Sequence, residues 1–516
     1  MSPPHPTDTS STSMGSRAKG SATARTACLS CRRGKRRCDK SLPSCQLCAK
    51  KDIDCAYASR HTDGITSQAS ASDLANDYAA VSFLAPQVFL DAGLELPRLD
   101  VPVPESVRDV IGGTSSIRLI AVAFFESIHS WMPIISKRRF HTHLLNPLSR
   151  RQTELGLLAI CMKLYCTAPP ECSDGRTELY MTAKQFHFEV ETAGLMSIHV
   201  LQAGIIIALY EIGQAIYPAA HLSVSVCARY GVVLDLDKLG LHLSGSEKRS
   251  RSWTEIEEMR RVWWAVLMLD RFLNLSNPSR NLETEDPTFD FYLPVDTQGW
   301  DDDTSTPEDA VNMSTGFTLK MGLFSRLSQA TYLLSQALNS LTLPSSDTAE
   351  LLLERAQLRR TLLALINVAD TESQARGIEF CSHLAVCFST ILLLDGAYSR
   401  QECTSASYGD DDTPSPVSIE SASALETLSR LACSFFTEGL EDPVIINSVS
   451  VFLIQATYQA ASTLIRISEG NPDAKMMQGI EAIKQHLEEL RPRWRVAGVY
   501  KAILEAEEVM SAVKMT

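Results

Sequence analysis

Six cysteines fall in the stretch CLSCRRGKRRCDKSLPSCQLCAKKDIDC, from Cys28 to Cys55, at the spacing C-x2-C-x6-C-x6-C-x2-C-x6-C. The triplet C-x2-C-x6-C occurs twice, as Cys28, Cys31 and Cys38 and again as Cys45, Cys48 and Cys55, so the stretch is a small internal duplication. Thiolate sulfur is a preferred soft ligand for zinc, and a closed structural site takes four ligands in a tetrahedron. Two such sites need eight ligand positions. Six sulfurs fill them only if two sulfurs each bridge both metals, and the duplication makes the bridges equivalent residues of the two halves. A disulfide framework belongs to secreted chains, whereas the N-terminus MSPPHPTDTSSTSMGSRAKG lacks the apolar segment of a secretory signal. The expected cofactor is two Zn2+ per chain, held by all six cysteines.

Between Cys31 and Cys38 lies Arg32-Arg33-Gly34-Lys35-Arg36-Arg37, five cations in six residues fixed between two metal ligands. Six thiolates and two Zn2+ leave a net charge of −2, so part of this run neutralises the cluster. The remainder can face phosphate.

These spacings resemble the fungal zinc binuclear cluster (Zn2Cys6) transcription factors, in which the first and fourth cysteines bridge. The resemblance assigns the bridges to Cys28 and Cys45, and Pro43 sits where the family places a proline between its two halves. It implies a short helix after Cys31 whose N-terminal residues meet the major groove. Lys35 matches the family's reader of guanine edges in a CGG triplet. Lysine donates to guanine O6 and N7 and carries no acceptor, which suits a G-rich target. Gly34 occupies a position that approaches DNA through its main-chain carbonyl, where many members carry Lys or Arg. Glycine there weakens a helix by ~1 kcal/mol relative to alanine, so base reading rests more on Lys35, with Arg33 and Arg36 as further candidates. By family position Arg32, Arg37 and Lys40 are phosphate contacts, which position the module without reading sequence.

The net charge of −13 suits a DNA-binding chain only once it is divided. Residues 1–60 carry 12 Lys and Arg against 4 Asp and Glu, a balance of +8, which leaves −21 for residues 61–516. An acidic body discourages nonspecific contact with nucleic acid, so the cysteine module alone should touch DNA. No apolar run reaches the ~18 residues of a membrane span, and no membrane contact is expected.

Along the chain, residues 1–24 are a polar, Ser- and Thr-rich tail expected to be disordered, residues 25–58 form the zinc module, and residues 59–78 form a linker. No a/d heptad is visible between Ala56 and Tyr78, so the protein binds as a monomer or as a homodimer through the body. From residue 79 to 516 the apolar period is helical. In EMRRVWWAVLMLDRFLNL, Val262, Val266, Leu269 and Leu273 form a core-facing stripe expected to end near Asn277-Pro278. Similar stripes fill about 116–131, 152–166, 177–192, 199–213, 218–231, 316–341, 347–369, 374–397, 419–438, 443–467, 474–490 and 494–512. The expected fold class is mainly α, with a small zinc module, a flexible linker and a large all-α regulatory domain interrupted by flexible acidic loops near 296–312 and 401–418. FFESIHSWMPIISKRRF at 124–140, ALYEIGQAIYPAAHLSVSVCARYG at 208–231, RRVWWAVLMLDRF at 260–272 and RPRWRVAGVYKAIL at 491–504 also resemble the fungal-specific transcription factor domain.

Glu211, Arg229, Asp270 and Arg271 punctuate the most apolar helices and are read as interhelical ion pairs or surface charges. His129, His141 and His143 have no carboxylate or cysteine nearby at ligand spacing, and the aspartate runs 301–303 and 410–412 are read as solvated charge. The chain has no phosphate-cradling glycine loop, no H-E-x-x-H and no G-x-S-x-G. An enzyme domain with an accessory zinc module therefore has no catalytic constellation behind it. The reading is a non-enzymatic, nuclear transcription regulator that binds double-stranded DNA at CGG-type sites of RNA polymerase II promoters, with transcription machinery or coactivators as partners. Resemblance also implies pathway-specific control, including of secondary-metabolite gene clusters.

Overall fold

The computed structural model describes residues 24–57, 71–146, 151–239, 251–314, 321–342, 348–376, 381–404, 422–423, 443–468 and 474–515, apart from isolated positions and the pairs 97–98 and 171–172 within them. The chain falls into two units, Met1–Pro97 and Arg98–Thr516. The tail at 1–23, the linker up to residue 70, the loop beyond Thr404 with its 410–412 aspartates, and nearly all of the helix expected over 419–438 lie outside the described residues.

The first unit holds two five-residue helices, α1 (Leu29–Arg33) and α2 (Gln46–Lys50), followed by α3 (Ala71–Leu84) and α4 (Pro86–Asp91). The later part of the expected linker is thus helical. Residues 71–84 contain neither Gly nor Pro, and Pro86 opens α4 at the first helical position, where its missing N–H has no partner to lose.

The second unit is built from helices throughout its described residues. In order they are α5 (Glu105–Ile111), α6 (Thr114–Ser127), α7 (Lys137–Arg139, continued as a π-turn over Phe140–Leu144), α8 (Gln152–Cys166), α9 (Glu178–Thr192), α10 (Ile198–Gly213), α11 (Ala219–Val233) and α12 (Trp253–Asn274). After these come α13 (Thr297–Asp301), α14 (Leu323–Thr342), α15 (Thr348–Arg376), α16 (Cys381–Thr404), α17 (Pro443–Ser448), α18 (Val451–Ser468), α19 (Ala474–Leu490) and α20 (Arg495–Met515). An isolated antiparallel bridge joins Tyr292 and Asn312, and no strand is formed among the described residues.

Composition places α10 at the centre. IHVLQAGIIIALYEIG is apolar on every side, so it has no face to give to water, and every residue from His199 to Gly213 is buried. It packs against α8, α9, α11 and α12. Its last residue must be glycine because of a close approach: a Cβ at Gly213 would stand 2.3 Å from the Trp494 ring. Helix starts follow from side-chain caps, Thr177 accepting the Tyr180 N–H and Ser252 the Glu255 N–H. Helix α12 ends at Asn274, three residues before the expected Asn277-Pro278 stop.

The charges inside α12 are not on the surface. Glu257 is fully buried between Arg260 and Arg261, and its Oε1 also accepts the Val295 N–H at 2.9 Å. The Arg261 guanidinium lies 4.1 Å from the Trp300 ring centroid and donates to the Val295 carbonyl at 2.6 Å. These bonds clamp the segment after residue 292 to α12. The loop expected to be flexible near 296–312 instead carries α13 and buries Trp300. The reading of 301–303 as solvated charge is corrected at Asp301, which meets His129 Nε2 at 2.9 Å and Lys137 Nζ at 3.0 Å, whereas Asp302 and Asp303 are exposed, the latter pairing with Arg138 at the surface. Burial lowers the His129 pKa although Asp301 opposes it. Glu211 is paired across helices with Lys184 at 2.9 Å, and Arg271 joins Asp270, Thr284 and Asp286. Arg229 is exposed.

Candidate metal centre and nucleic-acid interface

Each half of the cysteine duplication builds the same turn. Cys28 caps α1 and its Sγ accepts the Cys31 N–H at 3.4 Å. Cys45 caps α2 and its Sγ accepts the Cys48 N–H at 3.4 Å. Sulfur stands where a Ser or Asp oxygen would cap an ordinary helix. The helix therefore begins immediately after the first cysteine of each C-x2-C. This corrects the helix expected after Cys31: α1 spans Leu29–Arg33, and the basic run forms its last turn and exit, at the negative pole of the helix.

That exit is a Schellman-type turn. The Lys35 N–H donates to the Arg32 carbonyl at 3.2 Å and the Arg36 N–H to the Cys31 carbonyl at 2.9 Å, with Lys35 itself left-handed at φ 48°. In the second half the Ile53 N–H donates to the Cys48 carbonyl at 3.1 Å, the equivalent bond. Gly34 is the C-cap at φ −82°, so the helix-interior cost expected of it does not arise. The left-handed position that usually takes glycine is filled by lysine instead.

Four sulfurs come together. Cys28 Sγ lies 3.8 Å from Cys45 Sγ and 3.7 Å from Cys48 Sγ, while Cys31 Sγ lies 3.7 Å and 3.9 Å from the same two. Zinc–sulfur bonds of ~2.3 Å in a tetrahedron give sulfur–sulfur edges of ~3.8 Å, so the spacing fits shared zinc coordination. The donor set fits as well, since clustered thiolates repel one another unless a cation sits among them. Cys38 Sγ and an Asp39 carboxylate oxygen lie within 4.8 Å of Cys45 Sγ, and Cys55 Sγ accepts the Cys45 N–H at 3.2 Å. Cys28, Cys31, Cys45 and Cys48 are buried, and Cys38 and Cys55 are half-buried at their edge.

Three residues of this site escaped the motif. Asp39 accepts the Gln46 N–H at 3.0 Å and the Ser41 hydroxyl at 2.6 Å, tying the loop after Cys38 to the start of α2. The Ser41 bond leads in holding its carboxyl below the usual carboxylate value. Tyr57 donates to the Ser41 carbonyl at 2.8 Å, and the Ala24 N–H donates to the Lys40 carbonyl at 2.7 Å, closing the module at both ends. Burial raises the Tyr57 phenol. The signal for Asp39 was the Asp-x-Ser turn composition; Tyr57 and Ala24 had none. The Leu42–Pro43 peptide is cis.

The cations occupy one stretch of surface. Arg32, Arg33, Lys35, Arg36 and Arg37 are exposed together with Gly34, and Lys40 is half-buried with φ 62°.

Two family models match the chain. The fungal Zn(2)-Cys(6) binuclear cluster domain covers residues 26–63, and the fungal specific transcription factor domain covers residues 122–379. The chain is 40% identical over 139 residues to Transcription factor BOA15 of Botryotinia fuckeliana, a match covering 27% of this chain and 76% of that protein. It is 29% identical over 157 residues to Transcription factor tazR of Aspergillus terreus, covering 30% and 25%. It is 24% identical over 284 residues to the Azaphilone cluster-specific transcription factor azaR of Aspergillus niger, covering 50% and 59%.

Proposed function

Because the chain belongs to the fungal transcription factors that join a Zn2Cys6 binuclear cluster to a fungal-specific transcription factor domain, we propose that residues 25–58 read CGG-type DNA and residues 79–516 regulate that binding. The families are those of transcription factors, not enzymes, and the cofactor is a pair of zinc ions. Zinc supplies a fixed, redox-inert tetrahedral node on which a segment without its own apolar core can fold. Cys28 and Cys45 are the shared ligands in this reading, with Cys31 and Cys38 completing one site and Cys48 and Cys55 the other, an assignment that separates Cys31 from Cys48 where the structure groups both with Cys28 and Cys45.

The DNA contacts divide by chemistry. Lys35, at the left-handed exit of α1, projects beyond the helix end and donates to guanine. Gly34 offers a carbonyl beside it, and Arg33 and Arg36 flank the same edge. Arg32, Arg37 and Lys40 meet phosphate. The observation that carries this reading is the exposed basic exit of α1 anchored directly to the four-sulfur cluster. The acidic body recruits transcription machinery and is the place for a homodimer contact, and the protein acts in the nucleus. Relatives named for an azaphilone cluster and for pigment biosynthesis support control of one secondary-metabolite gene cluster. Selection of duplexes from a random library by the full chain, repeated across a salt series, tests the reading. CGG triplets should be enriched, and a selection that retains no common sequence would overturn it.

A further inference from the structure

A cavity of about 180 Å³ opens between α9, α10 and α11 in the second unit. Its walls are Phe188, Ile207, Leu222, Val226 and Cys227, with Gly204 at its floor. At the floor the packing is close enough to need glycine: a Cβ at residue 204 would stand 3.0 Å from His187 Nε2 and 3.1 Å from Cys227 Sγ. At the mouth, Phe188 and Leu222 are each 64% exposed, an unusual place for two large apolar side chains. An apolar cavity near 150 Å³ admits a benzene-sized molecule, so this one takes a single ring with a short substituent.

The polar groups around it are already engaged, with one exception. Lys184, whose side chain is 38% exposed at the cavity, donates to the buried Glu211 at 2.9 Å, and Ser223 donates to the same carboxylate, so the lysine charge is already paired. His187 Nε2 bonds the Val200 carbonyl at 3.1 Å. Burial lowers the imidazole to about 4, so it is neutral at pH 7. Glu191 stands 4.0 Å from that neutral ring and is 37% exposed at the rim. Among the described residues it pairs with no Lys or Arg. The cavity thus offers an apolar receptacle with one uncompensated carboxylate at its mouth.

We propose that this cavity binds a small amphipathic amine, with a single ring inserted between Phe188, Leu222 and Val226 and a positively charged amine on Glu191. Ring burial supplies the affinity, and the carboxylate selects the sign of the charge. Occupancy would join α9 to α11 through one ligand, so the site is a place where a metabolite acts on the regulatory unit independently of the zinc module.

The test uses the full-length protein with 2-phenylethylamine, 2-phenylethanol and phenylacetate as probes, followed by ligand-observed NMR and by the shift in Tm. The amine should bind best and raise Tm, the alcohol should bind more weakly, and the carboxylate should bind least. Glu191→Gln should weaken the amine about fivefold and leave the alcohol unchanged. Val226→Phe, at a position 38% exposed, should block all three probes while the helical signal is kept. Leu222→Trp serves as a second plug should Val226→Phe fail to fold. Binding of phenylacetate as tight as that of the amine, or amine binding indifferent to both plugs, would overturn the site, as would no binding of any probe.

Discussion

Lys35 is placed where backbone and base recognition can be separated. It holds the left-handed position of the α1 exit at φ 48°, a conformation that costs an ordinary L-residue ~1 kcal/mol and glycine almost nothing. Lys35→Ala keeps that backbone cost and removes the amine. Lys35→Gly relieves the cost but loosens the unfolded chain by a similar ~0.5–1 kcal/mol, so the two variants should be equally folded to within ~1 kcal/mol. If Lys35 reads guanine as proposed, each variant loses a donor worth ~1–3 kcal/mol, which corresponds to a loss of about 5- to 150-fold on a CGG-containing duplex and much less on a scrambled one. Fluorescence anisotropy titrations of both duplexes across a salt series provide the readout, with Arg32→Ala as the contrast. A phosphate contact at Arg32 predicts weakening on both DNAs and a salt slope smaller by about one. If Lys35→Ala weakens both duplexes alike, Lys35 is not a base reader. If Lys35→Gly retains specific binding that Lys35→Ala loses, the backbone turn, not the amine, carries recognition.

Three consequences concern the helical body. Gly213→Ala places a methyl 2.3 Å from the Trp494 ring on both Cε3 and Cζ3, deep in the core. Overpacking of this kind costs ~1–3 kcal/mol or more, and urea unfolding should show a lower midpoint; an unchanged midpoint would mean that Trp494 has room to move. Arg261→Met leaves Glu257 buried with one cation fewer and the Val295 carbonyl without its donor. A loss of ~3–5 kcal/mol is expected, together with protease sensitivity of the 293–303 segment, and a variant as stable as the parent would show that the network is dispensable. Acid should destabilise the body before carboxylates titrate, because burial lowers His187 to about 4 and lowers His129, His199 and His383 in the same direction. The unfolded chain takes up these protons near pH 6.5 and the folded chain does not, so stability is full above that pH and falls as pH drops towards 4. His187 alone accounts for ~3 kcal/mol over that window. Denaturant midpoints at pH 7.5 and 5 measure it, and a flat profile contradicts burial of neutral imidazoles.

What the sequence disclosed depended on how local the physics was. The six cysteines were legible because metal-ligand spacing is written along the chain, and the long helices were legible because each carries its own apolar stripe. The start of α1 was misplaced because its cap is a cysteine sulfur, read as a ligand alone and not also as the acceptor for the Cys31 N–H. The segment 296–312 read as a loose acidic loop because its partners are distant: Asp301 finds His129 across 172 positions, and Val295 is held by Glu257 and Arg261. No pattern within seventeen residues could announce those bonds. Asp39 is legible too, since Asp-Lys-Ser after a zinc ligand is a turn signature.

The zinc content of the purified full-length protein decides whether the cysteine cluster is binuclear. Elemental analysis after exhaustive dialysis should give two zinc ions per chain, both removed by a strong chelator with loss of specific DNA binding. One zinc per chain, or specific binding that survives complete removal of the metal, would contradict a binuclear cluster built on Cys28, Cys31, Cys38, Cys45, Cys48 and Cys55.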